Sequence, residues 1–245
     1  MRSFSYLGGF MIAFISEIIA KEFADKTKIE TIPLSQYNCL DSRLSSHADM
    51  LLSVIDDKLF IPFSYYEKNK TSIDRVLDYG YEIITVDDFK SKEYPYDISL
   101  NVLVLDKCLI SYTKHTSKEI INYCTSEGYK IVNVKQGYTA CSTLKIDENT
   151  VITADKSIND AVLSLGKQSF LCEDLGIKLD GYNCGFIGGS SCVVNDTVVF
   201  FGHPATNYAF TNLKNHLEKI NKQVIYLDGE LHDYGGAKIL GNCKK

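Results

Sequence analysis

Apolar residues in this chain fall into short runs, and the runs recur in one order. A strand-like run meets an acidic or Asn-containing turn, a second run returns, a stretch with helical spacing follows, and a third strand closes the unit. Two apolar runs joined by Asp, Asn or Lys read as a hairpin, because these residues tolerate the tight backbone between antiparallel strands.

The first copy predicts strands over 49–55 and 59–62 across Asp56-Asp57-Lys58, a helix over 71–79 carrying Ile73, Val76 and Leu77, a stop at Gly80, and a strand over 81–86. The second predicts strands over 100–105 and 108–112, a helix capped by Ser117 and stopped by Gly128, and a strand over 129–134. Strands over 141–146 and 150–154, a helix over 157–165 and a strand over 169–172 make the third. Strands over 191–194 and 197–201, a helix over 206–220 and a strand over 223–227 make the fourth. The turn acids Asp57, Asp106, Glu148 and Asp196 stand 49, 42 and 48 residues apart, a period that marks a repeat architecture.

The chain ends supply a fifth copy in two pieces. Residues 236–240 offer one strand; residues 10–15, 17–26 and 28–32 offer its partner strand, a helix and a third strand. Joining the ends across one module leaves no free sheet edge, so the expectation is one domain over 1–245, a ring of five strand-strand-helix-strand modules.

Composition narrows the partners. A net charge of −5 with scattered lysines lacks the clustered basic face a nucleic-acid binder needs. No segment approaches the ~18 apolar residues of a membrane span, so neither nucleic acid nor a membrane is expected as a partner. The eight cysteines show no CxxC pair and no zinc-type spacing, and several lie in apolar runs; reduced thiols and a cytoplasmic address follow. Residues 4–15 imitate the apolar part of a signal peptide, but Glu17 interrupts it and no small-residue cleavage site follows.

At residues 47–61 the text His-Ala-Asp-Met-Leu-Leu-Ser-Val-Ile-Asp-Asp-Lys-Leu-Phe-Ile resembles the His-x-Asp segment and following hairpin of the penteins, among them arginine deiminase, dimethylarginine hydrolase and the amidinotransferases. Residues 137–142, 152–156, 181–189 and 231–240 resemble an uncharacterised clostridial-type branch of that superfamily. The resemblance implies a five-bladed pseudosymmetric α/β propeller. It also implies chemistry on a small guanidino or amidino compound in a central channel, without metal or organic cofactor. In that chemistry a cysteine attacks the guanidinium carbon, a histidine shuttles protons, and carboxylates hold the planar cation through paired charge-assisted bonds. His47 takes the shuttle position and Asp49 the anchor position, and as residues two apart on a strand both would face the channel.

The nucleophile departs from the pattern: after Gly235-Gly236-Ala237-Lys238, Ile239 stands where the enzymes place cysteine. Cys141, opening the third module, is the candidate replacement; its other reading is a small core residue. Asp155 reads as a substrate carboxylate or as the cap of the helix that follows, and Asp233 as a channel-facing carboxylate or a turn former. The glycine-rich run 185–191 lacks the lysine of a phosphate loop and reads as close backbone approach. Two functions stay open: a guanidino-modifying enzyme or its degenerate descendant, and a non-catalytic binding protein like the ribosome-associated translation factor of this fold. Substrate identity and oligomeric state are not legible.

Overall fold

In a computed structural model the protein is described over residues 11–205 and 208–243, so most of the signal-like run 4–15 lies outside the described residues. The chain enters at β1 (Ile12–Ser16), whose five residues are all buried because both faces are covered: Ile12 and Phe14 pack in one apolar cluster, Ala13 and Ile15 in another. Helix α1 (Ala20–Thr27) turns Phe23 inward and ends at Lys28 in the left-handed conformation, and β2 (Glu30–Leu34) returns parallel to β1.

The next unit opens with a short helical turn, α2 (Ala48–Leu51), ahead of β3 (Ser53–Ile55) and β4 (Lys58–Pro62). Helix α3 (Phe63–Ile73) tightens into a 3-10 helix over Asp74–Tyr79, stops at Gly80 (φ 89°), and leads to β5 (Glu82–Val86). Three further units follow. They are β6 (Leu103–Leu105), β7 (Cys108–Ser111), α4 (Lys118–Ser126) and β8 (Lys130–Asn133); β9 (Thr143–Lys145), β10 (Thr150–Thr153), α5 (Lys156–Ser164) and β11 (Gln168–Leu171); and β12 (Ser191–Val194), β13 (Thr197–Phe200), α6 (Tyr208–Lys219) and β14 (Gln223–Tyr226). The last strand, β15 (Ala237–Leu240), pairs antiparallel with β1, Ala13 opposite Ile239.

The result is a mixed α/β fold of five three-stranded sheets among the described residues. Each has one middle strand, parallel to the strand after it and antiparallel to its other neighbour, as in Val54↔Leu59 and Leu59↔Ile83; for β1 that other neighbour is β15. A parallel neighbour needs a crossover, and the helix supplies it. The hairpin turns place Asp56, Asp106 and Asn195 at φ 52°, 53° and 54°, where Asp and Asn are the residues other than glycine that fit best.

Apolar clusters join each sheet to the next in chain order. Leu105 and Ile110 meet Val151 and Ile158; Ile152 meets Val198 and Phe200; and Val199 and Phe201 meet Ala13, Ile15 and Phe23 across to the N-terminal sheet. Each wholly buried side chain of this size contributes about 1.5–3 kcal/mol.

Two expectations are corrected. Residues 49–52 are not strand: Leu51 N–H donates to the His47 carbonyl and Leu52 N–H to that of Ala48, closing a helical turn before β3 begins. The helix of the same unit starts at Phe63, eight residues earlier than its apolar spacing suggested, with Pro62 as its N-cap.

Candidate functional site

The segments just ahead of the first strands come together at one end of the fold. His47 caps α2 with extended backbone (φ −71°, ψ 124°) and Asp49 lies within the helical turn, so the two are not the alternate residues of one strand. The turn is pinned to the last unit by Asp49 N–H donating to the Gly235 carbonyl at 3.0 Å. Cys141 stands two residues ahead of β9, and Asp233 four ahead of β15. All four are buried, at 2–4% exposure.

Asn101, two residues ahead of β6, ties these segments together. Its Oδ1 accepts from Ala140 N–H at 2.7 Å, which leaves Nδ2 to donate to the Asp49 carbonyl at 3.0 Å and to Cys141 Sγ at 2.9 Å. Asp233 accepts from Phe186 N–H at 2.9 Å and Gly235 N–H at 3.0 Å, and its Oδ1 lies 3.7 Å from His47 Nδ1. The glycine-rich run makes room for it: a side chain at Gly189 would strike the Asp233 carboxylate, and one at Gly235 (φ 80°) would strike His47. Backbone approach is therefore what this run provides, and the phosphate reading is set aside.

The electrostatics follow from burial of like charges. Burial, then the neighbouring Asp49, lifts the Asp233 carboxyl from 3.8 to about 7. Burial, then Asp49 and Asp233, raises the Cys141 thiol, against the opposing hydrogen bond from Asn101. Burial lowers His47, with Asp49 pulling the other way and His232 adding to the fall. Burial thus favours the neutral imidazole and the protonated thiol, so the His47–Asp233 approach at 3.7 Å is not that of an ion pair. Asp49 stands out: both carboxylate oxygens are buried and neither accepts from an N–H or hydroxyl among the described residues, the Cys141 thiol being the neighbour they act on.

Below this cluster a cavity of about 640 Å³ is lined by residues of β3, β6, β9, β12 and β15, the first strand of every sheet, with Asp49 and Lys238 on its wall. Asp155 lies elsewhere. Its carboxylate accepts from Ile158 N–H at 2.9 Å and Ser157 Oγ at 2.6 Å, capping α5. Ile239 sits on β15 opposite Ala13 and packs with the apolar cluster around β1. Asn101 and Lys238 were not singled out from sequence. For Asn101 a signal existed, since it occupies in its unit the pre-strand place of Cys141.

The family model described as Family of unknown function (DUF6873) matches residues 14–237. The chain belongs to that family. No curated protein matches the DUF6873 chain in sequence. Solved structures resemble it in fold. The inosamine-phosphate amidinotransferase of Streptomyces griseus shares 15% identity over 93% of this chain and 79% of its own, with a TM-score of 0.55. The agmatine deiminase of C. jejuni with substrate bound shares 11% over 99% of both chains, at 0.53. The DDAH of Pseudomonas aeruginosa in complex with citrulline shares 11% over 86% of this chain and 80% of its own, at 0.52. At such identities the likeness establishes the fold, which is the pentein one that the resemblance of residues 47–240 implies.

Proposed function

We propose that the protein acts on a small guanidino or amidino compound, with its five sheets standing as blades of one α/β propeller around the cavity, in a clostridial-type branch of the penteins and in the cytoplasm. One observation carries the reading: Asp49 presents a buried carboxylate whose two oxygens accept from no N–H or hydroxyl among the described residues. An unpaired buried carboxylate is costly, and a planar cation donating two parallel N–H bonds is the partner its geometry fits. The solved structures of similar fold, among them an agmatine deiminase and an amidinotransferase, support that class of ligand.

Chemistry would run through Cys141. An arriving guanidinium offsets Asp49 and Asp233, whose charges raise the thiol, so ligand binding itself eases deprotonation. The thiol proton passes to the neutral His47, sulfur bonds to the guanidinium carbon, the carbon–nitrogen bond breaks, and His47 returns the proton to the departing amine. Water or an acceptor amine then displaces the sulfur. Asp233, beside His47 Nδ1, orients the ring.

Ile239 in the usual cysteine position favours a second reading, in which the same site binds a ligand without turning it over. Thermal melts and product assays with arginine, agmatine and methylated arginines decide between them. On the first reading D49N loses the ligand-induced rise in Tm, and C141S loses turnover while keeping that rise. Binding with no turnover in the wild type selects the second reading. No rise with any compound at millimolar concentration removes the guanidino reading altogether.

A further inference from the structure

Lys238 is a charged group in the cavity that the chemistry above leaves unused. It stands on β15 opposite Phe14, half-buried, and its Nζ has no hydrogen-bond or ion-pair partner among the described residues. It shares the cavity wall with Asp49; burial, the largest effect, holds its ammonium below the usual range, and Asp49 and Cys141 pull the other way. Thr143, 5% exposed on the wall of the same cavity, has a hydroxyl with no partner. Among the described residues, a carboxylate with no N–H or hydroxyl donor, an ammonium with no ion-pair partner and an unpartnered hydroxyl thus share one cavity.

Two opposite charges left apart in a partly dry space each bear a desolvation cost that neither relieves for the other. A ligand carrying both complementary charges relieves both. Resting on the guanidino reading, we propose that the ligand is a short zwitterionic guanidino acid, its guanidinium on Asp49 and its carboxylate on Lys238, with Thr143 Oγ1 as a second donor. A decarboxylated amine such as agmatine satisfies only the Asp49 end and leaves Lys238 facing a second cation.

Titration calorimetry of the full chain with 3-guanidinopropionate and with propylguanidine tests this. A charge-assisted contact predicts that the acid binds at least about tenfold tighter than the alkylguanidine. In K238M, and in K238Q should the first variant fail to fold, the two affinities should converge to within about twofold. Equal affinities in the wild type overturn the role of Lys238 and leave the guanidino reading standing. An acid preference that survives both variants also overturns it, because the carboxylate is then held elsewhere. If neither compound binds, the guanidino reading falls and this inference with it.

Discussion

At the scale of single residues, the proton on Asp233 ties the site to the stability of the protein. Its carboxyl titrates near 3.8 when free and is raised to about 7 by burial and by Asp49. Between about pH 4 and pH 7 the folded chain therefore keeps a proton that the unfolded chain has released. Stability from this group is full below about pH 4 and is lost as the pH climbs toward 7. Urea midpoints of the wild type should fall between pH 5 and pH 7.5 relative to those of D233N, which has no carboxyl to titrate; parallel profiles would refute the raised value. His47, Asp49, Cys141 and Asp233 were legible as candidates because each is a reactive residue type at a strand start or beside glycines. Lys238 was not, since one lysine in an alternating strand looks like any solvated lysine until the fold turns it inward. Nor was the local geometry: Ala48-Asp49-Met50-Leu51 is too short for a helical period to show, and only the hydrogen bond to Gly235 reveals why the turn forms there.

At the scale of elements, Asp155 shows how a capping residue imitates a catalytic one. Its carboxylate satisfies the open N–H groups of α5, so D155A should cost about 1 kcal/mol in urea unfolding and leave any ligand-induced rise in Tm unchanged. Loss of binding in that variant would return Asp155 to the site. The hairpins and helix stops were readable because they depend on local backbone chemistry: left-handed Asp56, Asp106 and Asn195, and Gly80 and Gly128 at positive φ. The start of α3 was not. Phe63-Ser64-Tyr65-Tyr66 carries strand-like aromatics, and its helical state is imposed by Tyr65 packing wholly inside, where its ring meets Tyr37 at 5.2 Å. Strand starts at Leu100 and Cys141 were read too early for a related reason. Those residues are apolar, but Cys141 N–H donates to Asn101 Oδ1 and the Leu100 carbonyl accepts from Ser53 Oγ and Val102 N–H, so neither joins a ladder.

At the scale of the whole molecule, the repeat made the architecture readable, since five units of one order need few other clues. The partition of the last unit between the two chain ends follows from pairing that no local signal encodes, in which Ile12 lies directly opposite Leu240. That pairing has a kinetic consequence. Bringing residues so distant in sequence together is the entropically hardest closure in the fold, and contacts of this kind slow folding more than they alter stability. A circular permutant that links residue 243 to residue 11 through a short flexible loop, with new ends between the exposed Lys92 and Glu93, makes the same strand pair local. Its refolding in stopped-flow experiments should be faster than that of the natural order of the chain, while the urea midpoint stays close to that of the parent. Equal refolding rates would mean that the strands at the two ends meet only after the slowest step has passed.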